Sequence, residues 1–151
     1  MANPSVVIRD LTTKECEALL REHTHGRLAF SFRDRVDVEP IHFVFDDGWI
    51  IGRTGLGTKI TVLHHHPWVA FEIDEVQSPF EWRSVVAKGT VYMLDPNGSA
   101  TDEVARDRAI AAIRRLLPSA FTDEDPMPER SLLFRIHVDE LSGRASGLAD
   151  T

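Results

Sequence analysis

The sequence predicts a mainly β protein in which about six antiparallel strands form a barrel and two or three helices lie against it. Apolar and polar residues alternate in several segments, which is the period of a half-buried strand. Most of these segments are joined by short turns such as Asp46-Asp47-Gly48, and short turns connect antiparallel strands. Because closure removes exposed sheet edges, we expect the sheet to curl into a barrel.

Length and composition limit the classes of function. The 151 residues fit one domain, residues 1–151. The net charge of −7, from 17 basic and 24 acidic residues, disfavours nucleic acid as a partner, because that binding depends on phosphate neutralisation. No apolar run approaches the ~20 residues of a membrane helix, and no basic-then-apolar leader opens the chain. We therefore expect a cytoplasmic protein without a membrane partner.

The first third of the chain predicts one helix and a hairpin. Thr12, with a glutamate three residues later, forms a capping box that begins the helix, and Gly26 ends it. Residues 27–32 alternate as a strand, and a polar turn joins them to a second strand at 36–45. Pro40 lies within that second strand and has no N–H to donate to a ladder, so it predicts an edge or a bulge.

The rest of the chain continues the pattern. A short third strand at 49–51 is followed by two glycines and by a predicted helix at 58–65, which Pro67 stops. The remaining predicted elements are strands at 69–74, 84–94 and 132–138 and a helix at about 100–117. The acidic, proline-rich residues 118–129 are expected to be an exposed loop. Residues 142–151 are small and polar and are expected to fray.

The segment Gly52-Arg53-Thr54-Gly55-Leu56-Gly57-Thr58-Lys59 carries the strongest chemical signal. A strand ends there, two glycines free the backbone, and a helix begins. Free amides at a helix N-terminus favour an anion, and the two cations and two hydroxyls add donors suited to phosphate oxygens. The segment alone leaves open a glycine-rich turn whose cations are merely solvated.

Two competing phosphate motifs fail on spacing. A Walker A loop has lysine directly after its last glycine, whereas Thr58 separates Gly57 from Lys59 here. A dinucleotide fingerprint needs a third glycine, and Ile60 stands at that position. The hairpin context also excludes the parallel sheet that both motifs require.

Five segments support a family resemblance. They are Gly26-Arg27-Leu28-Ala29-Phe30, Val38-Glu39-Pro40-Ile41-His42-Phe43, Arg53-Thr54-Gly55-Leu56-Gly57-Thr58-Lys59, Val69-Ala70-Phe71-Glu72-Ile73-Asp74 and Trp82-Arg83-Ser84-Val85-Val86, with Gly89 beyond. In this order they resemble the FMN-binding split barrels of the pyridoxamine 5′-phosphate oxidase-like type, with the nitroimidazole-resistance-like branch nearby. The resemblance covers residues 11–95 by motif and the remainder by layout.

The resemblance implies a six-stranded antiparallel split barrel that is a homodimer and binds FMN at the subunit interface. It implies that the FMN phosphate is bound by Arg53, Thr54, Thr58 and Lys59. It implies that the isoalloxazine ring lies along Pro40, Ile41 and His42. It implies that a neighbouring strand brings Trp82, Arg83 and Ser84 toward the flavin.

The leading functional hypothesis is a flavin-dependent oxidoreductase acting on a small-molecule substrate, with no side chain assigned as catalytic. The alternatives are a non-catalytic flavin or haem carrier or sensor, and a reductase that uses the deazaflavin F420. A histidine that many nitroimidazole-resistance-like proteins carry falls on Gly52 here, so nitroimidazole reduction is not expected. No metal site is predicted, because the consecutive side chains of His64, His65 and His66 point in different directions.

Overall fold

A computed structural model describes residues 5–55, 63, 65–94 and 97–149. Within these residues it contains eight strands and two helices. In chain order they are β1 (Val6–Asp10), α1 (Thr13–Glu22), β2 (His25–Phe32), β3 (Arg35–His42), β4 (Val44–Asp46), β5 (Trp49–Thr54), β6 (Trp68–Ser78), β7 (Glu81–Leu94), α2 (Ala100–Leu116) and β8 (Leu132–Leu148). Most of the helix predicted at 58–65 lies outside the described residues. Neither described helix is long and apolar enough to cross a membrane.

All strand pairs are antiparallel, in the order β3-β2-β6-β7-β8-β5-β4, with β1 added beside β8. The described sheet does not close, because β3 and β4 lie at its two ends. This architecture confirms the predicted fold class of a mainly β antiparallel split barrel with flanking helices. Pro40 lies in β3, so its predicted position on an edge strand is also confirmed.

Two predictions are wrong. The described residues contain eight strands rather than six, and the chain is a strand as far as Leu148 rather than frayed from residue 142. Strand β8 continues to Leu148, because its second half pairs with β7, from Trp82↔Ser146 to Ala87↔Leu141, and with β1, from Val6↔Leu148 to Asp10↔Arg144. Neither β1 nor the second half of β8 shows a strong apolar alternation, and their strand structure comes from ladders with distant parts of the chain. The predicted strand at 36–45 is divided at Phe43, whose backbone N–H donates to the Thr24 carbonyl.

Two apolar clusters lie on opposite faces of the sheet. The larger cluster includes Leu28, Phe43, Phe71 and Phe134, which are fully buried. The smaller cluster lies against α2 and includes Ile51, Leu94, Ile113 and Leu133. Ile51 and Arg53 are two residues apart in β5, and alternate residues of a strand share a face. Arg53 is therefore directed to the α2 side of the sheet.

Gly89 is required where β7 and β8 change register. The pairing shifts between Lys88 and Gly89, and a Cβ atom at Gly89 would overlap the backbone carbonyl oxygen of His137. We expect Gly89→Ala to lower the free energy of unfolding by about 2–3 kcal/mol, since overpacking forces the backbone to move.

The matched control is Gly147→Ala in β8, whose added Cβ would meet no atom within 4 Å. Its stability is expected to stay within about 0.5 kcal/mol of wild type. Equilibrium unfolding in urea measures both variants, and equal stabilities would contradict the register of β7 on β8.

Candidate functional site

A cavity of about 330 Å³ lies between the end of α2, the loop that follows it and the edge strand β3. Its volume falls within the range of roughly 300–1,000 Å³ common for small-molecule sites. Its apolar wall consists of Ile113, Leu116, Leu117, Pro126 and Met127. Its polar groups are Thr24, His42, Arg53 and Arg130. We call this the α2 cavity.

Arg53 and Asp125 form a bidentate ion pair beside the α2 cavity. The two terminal nitrogens of Arg53 donate to Asp125 Oδ2 at 2.6 Å and Oδ1 at 3.1 Å. The two side chains are 9% and 3% exposed. The hydrogen bonds from Arg53 are the main reason that the pKa of Asp125 lies well below its usual range, and two backbone N–H groups contribute. Paired geometry of this kind is among the strongest charge-assisted hydrogen bonding in proteins.

Asp125 also organises the loop that covers the cavity. Its carboxylate accepts hydrogen bonds from the backbone N–H groups of Phe121, at 2.8 Å, and Met127, at 2.9 Å. Phe121 has a φ of 62°, in the left-handed region that a residue with a side chain occupies at a cost of about 1 kcal/mol or more. The Arg53 guanidinium lies 5.2 Å from the centre of the Phe121 ring. The loop conformation therefore depends on the Arg53–Asp125 pair.

The expectation that residues 118–129 form an exposed loop is correct for most of them and wrong for Ala120 and Asp125, which are 0% and 8% exposed. An acidic residue among prolines and other acids resembles a solvated one when the sequence alone is considered. Its partner Arg53 lies 72 residues away in the chain. No local motif connects the two positions, so sequence reasoning did not find this pair.

His42 lies at the end of β3, opposite His25, and their ring centres are 4.2 Å apart. Burial lowers the pKa of His42 below its ordinary value, and electrostatic interactions with His25, Arg130 and Arg53 lower it further. The neutral imidazole is therefore favoured. One of its ring nitrogens can donate a hydrogen bond and the other can accept one.

The structure brings only some of the predicted site residues together. His42 and Arg53 line the same cavity, and Thr54 follows Arg53 at the end of β5. Pro40 lies on β3 opposite Arg27. The side chain of Ile41 is in the core, 6% exposed, so only its backbone is available to a ligand. The predicted phosphate ligands Thr58 and Lys59 lie outside the described residues.

The predicted segment Trp82, Arg83 and Ser84 lies elsewhere, at the beginning of β7. Trp82 and Arg83 line a separate groove of about 390 Å³. Arg83 donates to Glu75, and Ser84 pairs with Asp74. Strands β3 and β7 are three positions apart in the sheet, which at roughly 4.8 Å per strand amounts to about 14 Å. One copy of the chain therefore does not place this segment at the α2 cavity.

Gly52 faces the ring of Phe134, and an added Cβ would come within 2.5 Å of that ring. A histidine at this position would require Phe134, a fully buried core residue, to move. The packing therefore explains why the chain has no room for the histidine of the nitroimidazole-resistance-like pattern.

A family model described as pyridoxamine 5′-phosphate oxidase matches residues 12–145. No curated protein matches the chain at a significant level. Among solved structures, a FAD-binding protein of Mesorhizobium loti is 24% identical over 92% of this chain and 98% of its own, with a TM-score of 0.74. A conserved protein of unknown function from Corynebacterium diphtheriae is 27% identical over 91% and 97%, with a TM-score of 0.67. A FAD- and haem-binding protein of Mycobacterium smegmatis is 18% identical over 94% and 76%, with a TM-score of 0.70.

Removing the charge of Asp125 tests the role of the ion pair. We expect Asp125→Asn to lower the thermal midpoint by about 10 °C, because it leaves the Arg53 charge buried without a counterion. The control is Asp10→Asn, since the Asp10 side chain is 91% exposed and 3.9 Å from Arg144. Calorimetry or circular dichroism measures the thermal midpoints of both variants. Equal decreases in midpoint for Asp125→Asn and Asp10→Asn would contradict a structural role for Asp125.

The difference in stability between wild type and Asp125→Asn should depend on pH. The folded state holds the Asp125 pKa below its ordinary value of 3.8, so the pair stabilises the protein fully above that value. As pH falls below about 4, protons bind the unfolded state preferentially and the stabilisation is lost. The stability difference between wild type and Asp125→Asn should therefore be constant near neutral pH and should narrow in acid.

Proposed function

The chain belongs to the pyridoxamine 5′-phosphate oxidase family, and from this premise we propose that it binds FMN and acts as a flavin-dependent oxidoreductase on a small-molecule substrate. The observation that carries the proposal is the family match, which extends over residues 12–145. The proposal includes one domain, a cytoplasmic location and a homodimer. The FAD-binding protein of Mesorhizobium loti, with the same fold, supports a flavin as the ligand class.

The described residues fit a flavin in their chemistry. A flavin combines a flat, largely apolar ring with an anionic tail, and His42 at the end of β3 and the cationic Arg53 lie together at the margin of the α2 cavity. The open edge of β3 offers backbone groups to the polar rim of the ring beside Pro40 and His42. When bound, FMN supplies reversible electron or hydride transfer. His42, kept neutral by its surroundings, offers a hydrogen bond to the ring or to a substrate beside it.

The ion pair with Asp125 limits the part that Arg53 can play in binding a phosphate. Each of its terminal nitrogens donates one N–H to Asp125, so the charge of Arg53 is already balanced although three of its five N–H groups remain. We propose that Lys59, Thr58 and Thr54 are the principal phosphate ligands. Arg53 then contributes its remaining N–H donors.

The homodimer proposal rests on the position of Trp82–Ser84 and on an exposed apolar face. Within one chain this segment is about 14 Å from the strand expected along the flavin ring, which supports a second copy as its source. Val36, Val38 and Trp68 are 76%, 57% and 51% exposed. The register Val38↔Ala29↔Ala70 and the alternation of side chains place all three on one face of β3, β2 and β6. An apolar face of this kind indicates an interface.

Spectroscopy of the purified protein tests the cofactor. After incubation with FMN and removal of the excess, we expect the absorbance of oxidised flavin to stay with the protein. Parallel incubations with FAD, F420 and haem identify the preferred group. A protein that retains none of these flavins would overturn the proposal, and retention of haem alone would favour the carrier or sensor alternative.

Lys59→Ala tests the phosphate site. The loss of one charge-assisted contact should weaken FMN binding about 10- to 100-fold. Lys88→Ala is the control, because Lys88 lies on exposed β7 surface outside the α2 cavity. Fluorescence titration gives both dissociation constants. Wild-type affinity in Lys59→Ala would show that the phosphate is bound elsewhere.

Val38→Asp tests the dimer face. A carboxylate at the centre of an apolar interface must lose its hydration, so we expect the variant to sediment as a monomer and to retain less flavin. Val104→Asp is a matched control on α2, where Val104 is 70% exposed. Analytical ultracentrifugation distinguishes the two. A wild-type monomer, or a dimer unaffected by Val38→Asp, would contradict this interface.

A further inference from the structure

We propose that the α2 cavity is the substrate pocket and that it takes a small apolar molecule bearing a single carboxylate, which Arg130 binds. The inference rests on the proposed function in one respect, that a flavin ring lies beside His42. The binding of the carboxylate itself is a property of this chain and can be measured with or without a flavin.

The apolar wall of the α2 cavity favours a ligand with a small apolar body. Three residues at the end of α2, Ile113, Leu116 and Leu117, lie on one side, and Pro126 and Met127 of the covering loop lie on the other. Burial of apolar ligand surface against such side chains contributes about 25 cal/mol per Å². The volume of about 330 Å³ is at the small end of ligand pockets. A single ring or a short branched chain suits it better than a polymer or a nucleotide.

The charges that line the α2 cavity favour a ligand with one negative charge. Among the described residues that line it there are cations and no carboxylate. Arg53 is already neutralised by Asp125 at 2.6 Å, and the burial of His42 favours its neutral form. Arg130 forms no ion pair with any described acidic residue. The described cavity therefore holds one uncompensated positive charge, which matches a monoanion.

The geometry favours a carboxylate over a phosphate. A planar guanidinium can donate two parallel hydrogen bonds to a carboxylate. A phosphate dianion in the same cavity would keep about one negative charge unmatched, and burying an unmatched charge is unfavourable.

The covering loop holds Arg130 in place before the ligand arrives. Its backbone N–H donates to the Met127 carbonyl at 3.0 Å, and Met127 in turn donates to Asp125. The Arg53–Asp125 pair thus fixes the segment from Asp125 to Arg130. Because His42 lines the same cavity, a ligand on Arg130 lies next to the strand proposed to border the flavin ring.

The test uses three matched probes: benzoate, its neutral analogue benzamide, and phenyl phosphate. Calorimetric titration of the full chain, with and without bound FMN, gives their dissociation constants. We expect benzoate to bind at least about tenfold more tightly than benzamide. We expect Arg130→Gln to abolish that difference while leaving benzamide affinity and FMN retention unchanged. The control Arg144→Gln, at a side chain 69% exposed, should preserve the preference.

A second variant tests the cavity without touching the charge. Met127→Trp places a larger side chain in the apolar wall and should weaken benzoate and benzamide alike. Equal affinities of wild type for benzoate and benzamide would overturn the inference. Tighter binding of phenyl phosphate would overturn the carboxylate class.

The two proposals fail in distinguishable ways. If the flavin-free chain prefers benzoate in an Arg130-dependent manner but no flavin is ever retained, the pocket is supported and the flavin function is wrong. If FMN is retained but benzoate shows no preference, the flavin function stands and the substrate class is wrong. A benzoate-induced change in the FMN absorbance spectrum supports the placement of the pocket beside the ring.

Discussion

The candidate site depends on the buried ion pair between Arg53 and Asp125. A charge taken out of water must be paired, because an isolated buried charge is far less stable than a solvated one. Arg53 projects from β5 toward α2, and its partner comes from the loop after α2. The pair therefore helps to fix this loop against the sheet. The conformation of the loop, including the left-handed Phe121 and the position of Arg130, depends on that constraint.

The open sheet separates the segments of the proposed cofactor site. In the described part of the chain the outer edge of β3 beside His42 is unpaired, while the Trp82–Ser84 segment lies three strands away. The exposed valines of β3 and Trp68 of β6 cover the face between these two regions. An arrangement of two copies face to face would bury those side chains and complete the site in one step. In the proposed dimer, assembly and cofactor binding would be coupled, since each would use the same surface.

The sequence predicted the elements whose cause is local. The capping box at Thr12 is present in the structure, with the Glu15 N–H donating to the Thr12 hydroxyl, and alternation located most of the central strands. It did not reveal β1 or the second half of β8, because β1 is a strand through its pairing with β8, and the second half of β8 through its pairing with both β1 and β7. At the site, Arg53 was selected for its charge beside two glycines, but Asp125 and Arg130 were not. Their roles depend on contacts that no local pattern encodes.

A crystal structure of the FMN-loaded protein would test the account most directly. The account predicts a flavin whose phosphate contacts Lys59 and whose ring lies beside His42, with Trp82–Ser84 supplied by a second copy of the chain. It also predicts that Arg53 and Asp125 remain paired and that the α2 cavity stays open next to the ring. A flavin bound away from His42, or an Asp125 displaced from Arg53 by the phosphate, would contradict it.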